Sequence, residues 1–146
     1  MRKLFILLSI CISYTHLLQA QTSDDRAQLL QLCIDLPEIQ ANYPTFENES
    51  KAAAYIMQYP LTIPENLPIH KFEKKPVYMT RSEIYDNHVD AYFLFKQIEI
   101  GSESAQIEFT MYSNYNSNTP QIVDVYLNFQ KSSTGWLISN QKLENK

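Results

Sequence analysis

The spacing of apolar residues changes along the chain from a helical repeat to a strict alternation. In the N-terminal part, apolar residues recur every three or four positions, which is typical of one face of an amphipathic helix. Ser23 or Asp24 can cap the first turn, and Pro37 ends the helix. The pattern predicts a first helix whose apolar stripe consists of Leu29, Leu30, Cys33 and Ile34.

A second helix is predicted over residues 50–59, where three consecutive alanines and their neighbours have high helix propensity. We expect it to end before Pro60, because the residue that precedes a proline disfavours the helical conformation. Residues 60–76 contain four prolines and no sustained repeat, so they are expected to form an irregular surface crossing.

From Val77 onward the repeat is two residues, which predicts strands. The candidate strands cover residues 77–80, 89–100, 105–113, 121–131 and 136–142. Apolar and polar residues alternate, so one face should be buried and the other, which includes Asp124, should be solvated. The residues predicted to be buried together beneath the first helix are Ile107, Phe109, Met111, Val123, Val125, Leu127 and Phe129.

Helices followed by a run of strands indicate an α+β domain, here two N-terminal helices packed on a curved antiparallel meander of four to five strands. This element order, with the strand, turn and strand of residues 131–138 (KSSTGWLI), resembles the cystatin-like and nuclear-transport-factor-2-like superfamily over roughly residues 24–142. The resemblance, to small exported bacterial proteins, implies a sheet curved around a helix. It implies no particular activity, because such folds serve isomerases, dehydratases and binding modules alike.

The first twenty residues have the anatomy of a signal peptide. A positive start at Arg2 and Lys3 is followed by an apolar run over residues 4–12, and Ala20 precedes a polar, charged stretch. The run is too short to cross a bilayer, which takes about twenty residues in a helix. We expect cleavage near Ala20, export to the periplasm or the cell exterior, and one domain over residues 21–146. The alternative, a lipid anchor on Cys11, requires a small residue where the bulky Ile10 stands.

Charge and cysteine content narrow the range of partners. Loss of the first twenty residues leaves ten basic residues against sixteen acidic ones, a formal net charge of −6. That balance argues against nucleic acid or an anionic membrane surface as the partner.

Cys33 is the one cysteine that remains after cleavage, so an internal disulfide is excluded. Its place on the apolar stripe favours a core residue over a reactive thiol.

Candidate chemistry is concentrated in the segment Asp86-Asn87-His88-Val89-Asp90. In an extended chain Asp86, His88 and Asp90 project from one face, where two carboxylates would favour the protonated histidine. Such a trio could exchange protons or offer metal ligands. The alternative is a polar loop that leads into a strand with a solvated outer face.

Three tyrosines, Tyr92, Tyr112 and Tyr126, fall on the polar faces of the long strands. Exposed tyrosines offer contact area and a hydroxyl group at low entropic cost. Recognition surfaces for sugars or proteins are often built from such residues. Cross-strand packing that only stabilises the sheet is the alternative.

Two classes of function follow from these observations. The first is a non-catalytic exported module that binds an unknown protein or small-molecule ligand through the sheet face or a helix–sheet cavity. The second is a small acid–base enzyme in which His88 exchanges the proton and Asp86 or Asp90 orients it. The chain has two glycines, Gly101 and Gly135, and no nucleophile elbow or phosphate-binding loop, which argues against nucleotide-dependent chemistry. No cofactor and no metal site is assigned.

Overall fold

The computed structural model describes residues 24–43 and 52–146. A helix over residues 24–34, α1, is followed by a 3-10 turn at Pro37–Asn42. A short helix, α2, covers Arg81–Asp86. The strands are β1 (Tyr55–Met57), β2 (Val77–Met79), β3 (Tyr92–Ile100), β4 (Ser104–Ser113), β5 (Gln121–Ser132) and β6 (Gly135–Asn145).

The strands of the described chain form one six-stranded sheet in the order β2-β1-β3-β4-β5-β6. Strands β3 to β6 are an antiparallel meander, as the alternation predicts. Strand β1 lies between β2 and β3 and is parallel to both. The α+β class is therefore confirmed, with a six-stranded, mostly antiparallel sheet instead of four to five strands.

The predicted register of the meander is confirmed. Phe109 pairs with Val125 and Ile107 with Leu127, and all four side chains are buried. They belong to one core cluster with the apolar stripe of α1, which therefore covers this face, the inner face of the sheet. Full burial of one such aliphatic or aromatic side chain is worth about 1.5–3 kcal/mol, so the inner face supplies most of the hydrophobic stabilisation.

The helix predicted over residues 50–59 is wrong within the described residues, because Tyr55–Met57 is strand β1. Ile56 is buried in the main core, whereas Met57 belongs to a separate cluster on the opposite face. Hydrogen bonding to two neighbouring strands and burial on both faces outweigh the helix propensity of the alanines. Residues 50 and 51 lie outside the described residues.

Helix α2 lies on the outer face of the sheet, opposite α1. Thr80 and Glu83 form a capping box, in which each side chain bonds to the backbone N–H of the other residue. Ile84, the buried residue of the helix, packs in a second cluster with Met57, Val89 and Tyr92. The helix therefore covers one end of the outer face and leaves the rest of that face open.

The N-terminal part of α1 is tied to the end of the sheet. Both carboxylate oxygens of Asp25 accept hydrogen bonds from Lys131 at 2.7 Å, and the Trp136 indole N–H donates to Asp25 at 2.9 Å. Burial opposes ionisation of Asp25, but these donors outweigh it and lower the pKa of the carboxyl group. The contact joins segments more than a hundred residues apart in sequence.

Candidate functional site

The outer face of the sheet has two regions of different chemistry. Towards β5 and β6, polar and charged side chains bond to one another across the strands. Towards β1 and α2, the face is aromatic and apolar, and a groove separates the helix from the sheet. The two regions lie on the same strands, because β3 and β4 cross both.

Asp124 is the centre of the polar region. Its carboxylate accepts hydrogen bonds from Lys96 at 2.8 Å and from Thr110 at 2.5 Å, and Lys146 contacts its other oxygen. Lys96 also reaches Glu108 at 3.2 Å. Burial opposes ionisation, but these partners prevail and hold the pKa of Asp124 well below its usual range.

The expectation that Asp124 is solvated is therefore wrong, since its side chain is only 3% exposed. Alternation correctly assigned it to the outer face, but its cations and Thr110 cover it. Its charge is neutralised and its lone pairs are used, so the polar region is a structural network and not an open site.

The aromatic region holds a groove of about 750 Å³ between α2 and the sheet, which we call the tyrosine groove. This volume lies within the range of ligand pockets, about 300–1,000 Å³. Its floor is formed by residues of β1, β3 and β4, and α2 forms one wall. The lining residues are Met57, Tyr59, Arg81, Ser82, Ile84, Tyr85, Asp86, Tyr92, Leu94, Tyr112 and Tyr115.

Three tyrosines form an aromatic cluster in this groove. Tyr92 and Tyr112 are directly opposite each other on β3 and β4, and their rings stack with centroids 4.7 Å apart at an interplanar angle of 12°. Tyr115 meets both rings edge-on, at 5.3 Å from Tyr92 and 5.8 Å from Tyr112. Tyr92 is buried, whereas Tyr112 is half-buried and Tyr115 is exposed, so the cluster presents part of its surface to the groove.

Backbone hydrogen bonds hold Tyr115 in place. Its N–H donates to the carbonyl of Asp90 at 3.0 Å, and the N–H of Asn116 donates to the Asp90 carboxylate, also at 3.0 Å. The Asn116 side-chain amide donates to the carbonyl of His88 at 2.8 Å. Asp90 and the backbone of His88 therefore position the loop that carries Tyr115.

The rim of the groove carries charge and further aromatic surface. Helix α2 contributes the cation Arg81 and the carboxylate Asp86, one at each end. Tyr59 is 62% exposed and Tyr85 is 74% exposed, and both lie along the groove. These exposed rings are open to contact with a ligand, whereas the stacked pair beneath them lies on paired strands of the sheet.

Ionisation of the aromatic floor is suppressed. Burial, followed by the nearness of the Tyr115 and Tyr112 hydroxyls, raises the pKa of Tyr92. Tyr92 is therefore a neutral hydroxyl group over the whole physiological range, able to donate a hydrogen bond but unsuited to act as a base.

The premise that Asp86, His88 and Asp90 lie on one extended strand is wrong. Asp86 is the last residue of α2, and His88 has a positive φ of 50° in the turn that follows. Asp86 lines the tyrosine groove, whereas His88 and Asp90 line a second groove of about 550 Å³ with Tyr55. A helix end followed by a left-handed residue thus breaks the period-two alignment on which the trio depended.

Of the tyrosines predicted from the strand pattern, the structure brings Tyr92 and Tyr112 together and leaves Tyr126 outside the groove. Tyr126 is opposite Glu108 on β4, and the ammonium group of Lys142 lies 5.8 Å from its ring centroid. Tyr126 belongs to the polar region, where it packs against a neighbouring strand.

The free thiol of Cys33 is fully buried in the main core, and burial strongly raises its pKa. This confirms that Cys33 is a packing residue. His70, in the proline-rich crossing, is exposed, and its backbone bonds to the side chain of Gln31 on α1.

In the described ranges, no three His, Cys, Asp or Glu side chains are arranged to hold a metal ion. Nor is any helix of this part of the chain long and apolar enough to cross a membrane. No protein-family model, curated protein or solved structure matches the chain.

Sequence reasoning missed several residues of the groove, above all Tyr115, Arg81 and Tyr85. Arg81 and Tyr85 depend on α2, whose signal was the capping-box pair Thr80 and Glu83 three positions apart. Tyr115 had no comparable signal, because a turn-rich loop carries no repeat that fixes which way its side chains lie.

Proposed function

We propose that this protein is a non-catalytic binding module that takes a ring-bearing group of a protein or small-molecule ligand into the tyrosine groove. The observation that carries the proposal is the stacked pair of Tyr92 and Tyr112, extended by Tyr115, at the base of a groove large enough for a ligand. The two interpretations of these tyrosines, as a recognition surface and as cross-strand packing, are compatible. The stacked pair can stabilise the sheet and also contact a ligand.

The physical case rests on what a ring gains in this groove. Aromatic pairs contribute about 0.5–1.5 kcal/mol beyond the area they bury, and Tyr112 and Tyr115 offer both ring faces and ring edges. Met57 and Leu94 add apolar contact, and methionine adapts its shape readily. Arg81 and Asp86 give the rim one charge of each sign, which favours a ligand with polar groups at both ends of an apolar ring.

The acid–base alternative has less support from the geometry. His88 lines the second groove, away from the tyrosine cluster, and the Asp90 carboxylate already accepts a backbone hydrogen bond from Asn116. Asp90 is better described as a positioning residue for the Tyr115 loop than as the partner of a catalytic histidine.

Export and fold kinship belong to the same proposal. Residues 1–23 lie outside the described residues, so cleavage near Ala20 rests on the sequence pattern. Intact mass of protein recovered from its own host should fit a chain that begins at Gln21. A mass that retains residues 1–20, or a lipid on Cys11, would contradict cleavage near Ala20.

Kinship with the cystatin-like and nuclear-transport-factor-2-like superfamily is a proposal based on element order.

The proposed function is tested by calorimetric titration with two ring-bearing probes, N-acetyl-L-phenylalaninamide and cellobiose. We expect at least one to bind, and Tyr115→Ala to weaken its binding about tenfold, the equivalent of about 1.4 kcal/mol. Tyr126→Ala is the matched control, since it removes a tyrosine from the same sheet face outside the groove, and it should leave the affinity unchanged. Equal loss in both variants would argue against the groove.

A further inference from the structure

Strand β6 is an edge of the sheet, and its outer side pairs with no other strand in the described part of the chain. An edge strand presents a row of unpaired N–H and C=O groups that can pair with another strand. At the opposite edge β2 has only three residues, whereas β6 has eleven. The longer edge offers far more backbone to a partner.

The backbone groups of β6 that face outward can be identified from the ladder with β5. The N–H of Lys146 donates to Ile122 of β5 at 3.0 Å. Because inward and outward groups alternate along an antiparallel strand, the outward groups belong to Gln141, Leu143 and Asn145. Ser139 is skipped in the ladder with β5, where the register shifts and its hydroxyl donates to the Asn128 carbonyl at 3.1 Å, so this bulge interrupts the edge on its N-terminal side.

The side chains beside these groups carry opposite charges two residues apart. Lys142 and Glu144 lie on the outer face of the sheet and form an ion pair of 2.6 Å, with side chains 67% and 43% exposed. A second strand paired antiparallel to β6 would have side chains opposite both Lys142 and Glu144. A second copy of β6 would present the same two charges in reverse order.

The charges discriminate between the registers in which two copies of β6 can pair about a two-fold axis. An axis at Lys142 or at Glu144 puts identical charges directly opposite each other, which destabilises the pair. An axis at Gln141 puts Leu143 opposite the bulge at Ser139. An axis at Leu143 puts Lys142 of each copy opposite Glu144 of the other, with the outward backbone groups in register.

We propose that two copies of this protein associate through their β6 strands, antiparallel about a two-fold axis at Leu143, so that the two sheets become continuous. The self-complementary arrangement of Lys142 and Glu144 selects this register and excludes its neighbours. The contact closes on itself and leaves no free β6 edge, which suits a soluble dimer better than an open filament. It lies across the meander from the tyrosine groove and leaves the groove accessible.

The test is sedimentation equilibrium of the purified protein over a concentration series at low salt. The wild type should show a monomer–dimer equilibrium. Lys142→Glu and Glu144→Lys each turn two attractive pairs into repulsive ones, and each should weaken dimerisation at least about tenfold. The double variant with both changes restores the attraction and should dimerise as the wild type does.

A mixture of the two single variants provides the sharpest comparison. One variant carries two acids and the other two bases at these positions, so the mixture should form a heterodimer although neither variant dimerises alone. Circular dichroism of each variant checks that the fold is intact. A wild type that stays monomeric throughout the series, or single variants that dimerise as well as the wild type, would overturn the proposal.

Discussion

Asp124 shows how a charged residue can belong to the interior on the polar side of a sheet. Alternation placed it on the outer face, yet Lys96, Lys146 and Thr110 enclose it and lower its pKa. A buried charged group of this kind lowers the folding stability little while all its partners are present. It lowers the stability strongly once one partner is removed.

We predict that Asp124→Asn lowers the free energy of unfolding by about 1–3 kcal/mol at neutral pH, because it leaves Lys96 without its closest anion. Glu103→Gln, at an exposed turn, is the control and should be neutral within about 0.5 kcal/mol. Urea denaturation at pH 7 measures both. If the two variants matched, the network around Asp124 would contribute nothing.

The pH dependence of the same variant has a definite sign. The pKa of Asp124 is lower in the folded protein than in the unfolded chain, where it is about 3.9 for Asp. The stabilisation that the Asp124 carboxylate provides is therefore complete above the unfolded pKa. It is lost as the pH falls below the unfolded pKa and through the folded pKa. The wild-type and Asp124→Asn stabilities should therefore converge in strong acid, and a constant difference down to pH 2 would contradict this account.

Helix α2 is the element that turns a flat sheet face into a groove. It is only six residues long, too short to be stable alone, so it depends on the Thr80–Glu83 capping box and on burial of Ile84. Without it, Tyr92 and Tyr112 would be an ordinary cross-strand pair on an open face.

We predict that Thr80→Ala destabilises α2 by about 1 kcal/mol, because the side chain that accepts from the Glu83 N–H is removed. Hydrogen exchange should speed up at the Asn87 N–H, which bonds to the Glu83 carbonyl. Amides of β4 and β5 should keep their protection. Thr62→Ala, in the exposed crossing, is the control. Uniform acceleration across the sheet would mean that α2 is not a separate unit.

At this scale the sequence predicts long elements well and short ones poorly. Strands β4 and β5 have ten and twelve residues and one buried face each, so their alternation is visible and their register follows. Strand β1 has three residues and follows an alanine run, so local propensity indicates helix where pairing with β2 and β3 decides. Helix α2 is also short, at six residues, but its capping box could have been recognised.

The candidate site could also be predicted only in part, because one of its residues lies on a loop. The sequence indicates two strands joined by a tight turn, but the pairing of Tyr92 with Tyr112 also depends on the bulge between Phe95 and Gln97, which shifts the register by one residue. Tyr115 depends on contacts between the loop after β4 and the residues before β3, at Asp90 and His88. Contacts that connect irregular segments leave no periodic trace in the sequence.

In addition to the shared core, a polar contact between residues far apart in sequence joins α1 to the sheet. Asp25 on α1 bonds to Lys131 and Trp136 on the β5–β6 hairpin, which joins the helix layer to the far edge of the sheet. The sheet thus has α1 over its inner face and α2 over one end of its outer face, and the outer face also carries the polar network, the tyrosine groove and the second groove beside Tyr55.

We predict that Asp25→Asn lowers the free energy of unfolding by about 1–3 kcal/mol, since the Lys131 ammonium loses a charge partner and the Trp136 indole keeps a weaker acceptor. Asp24→Asn, at the exposed neighbouring position, should cost little. Trp136 fluorescence and backbone circular dichroism should report the same transition in both variants. A fluorescence change that precedes the loss of secondary structure would show that the contact is local.

The central claim, that the tyrosine groove is the binding surface, is tested most directly by NMR of protein labelled with ¹³C in its tyrosine rings, titrated with whichever probe binds in calorimetry. The ring signals of Tyr112 and Tyr115 should move with the concentration of the probe, and those of Tyr126 should stay in place. Movement at Tyr126 with Tyr112 and Tyr115 unchanged would place the binding surface on the polar region and contradict this account.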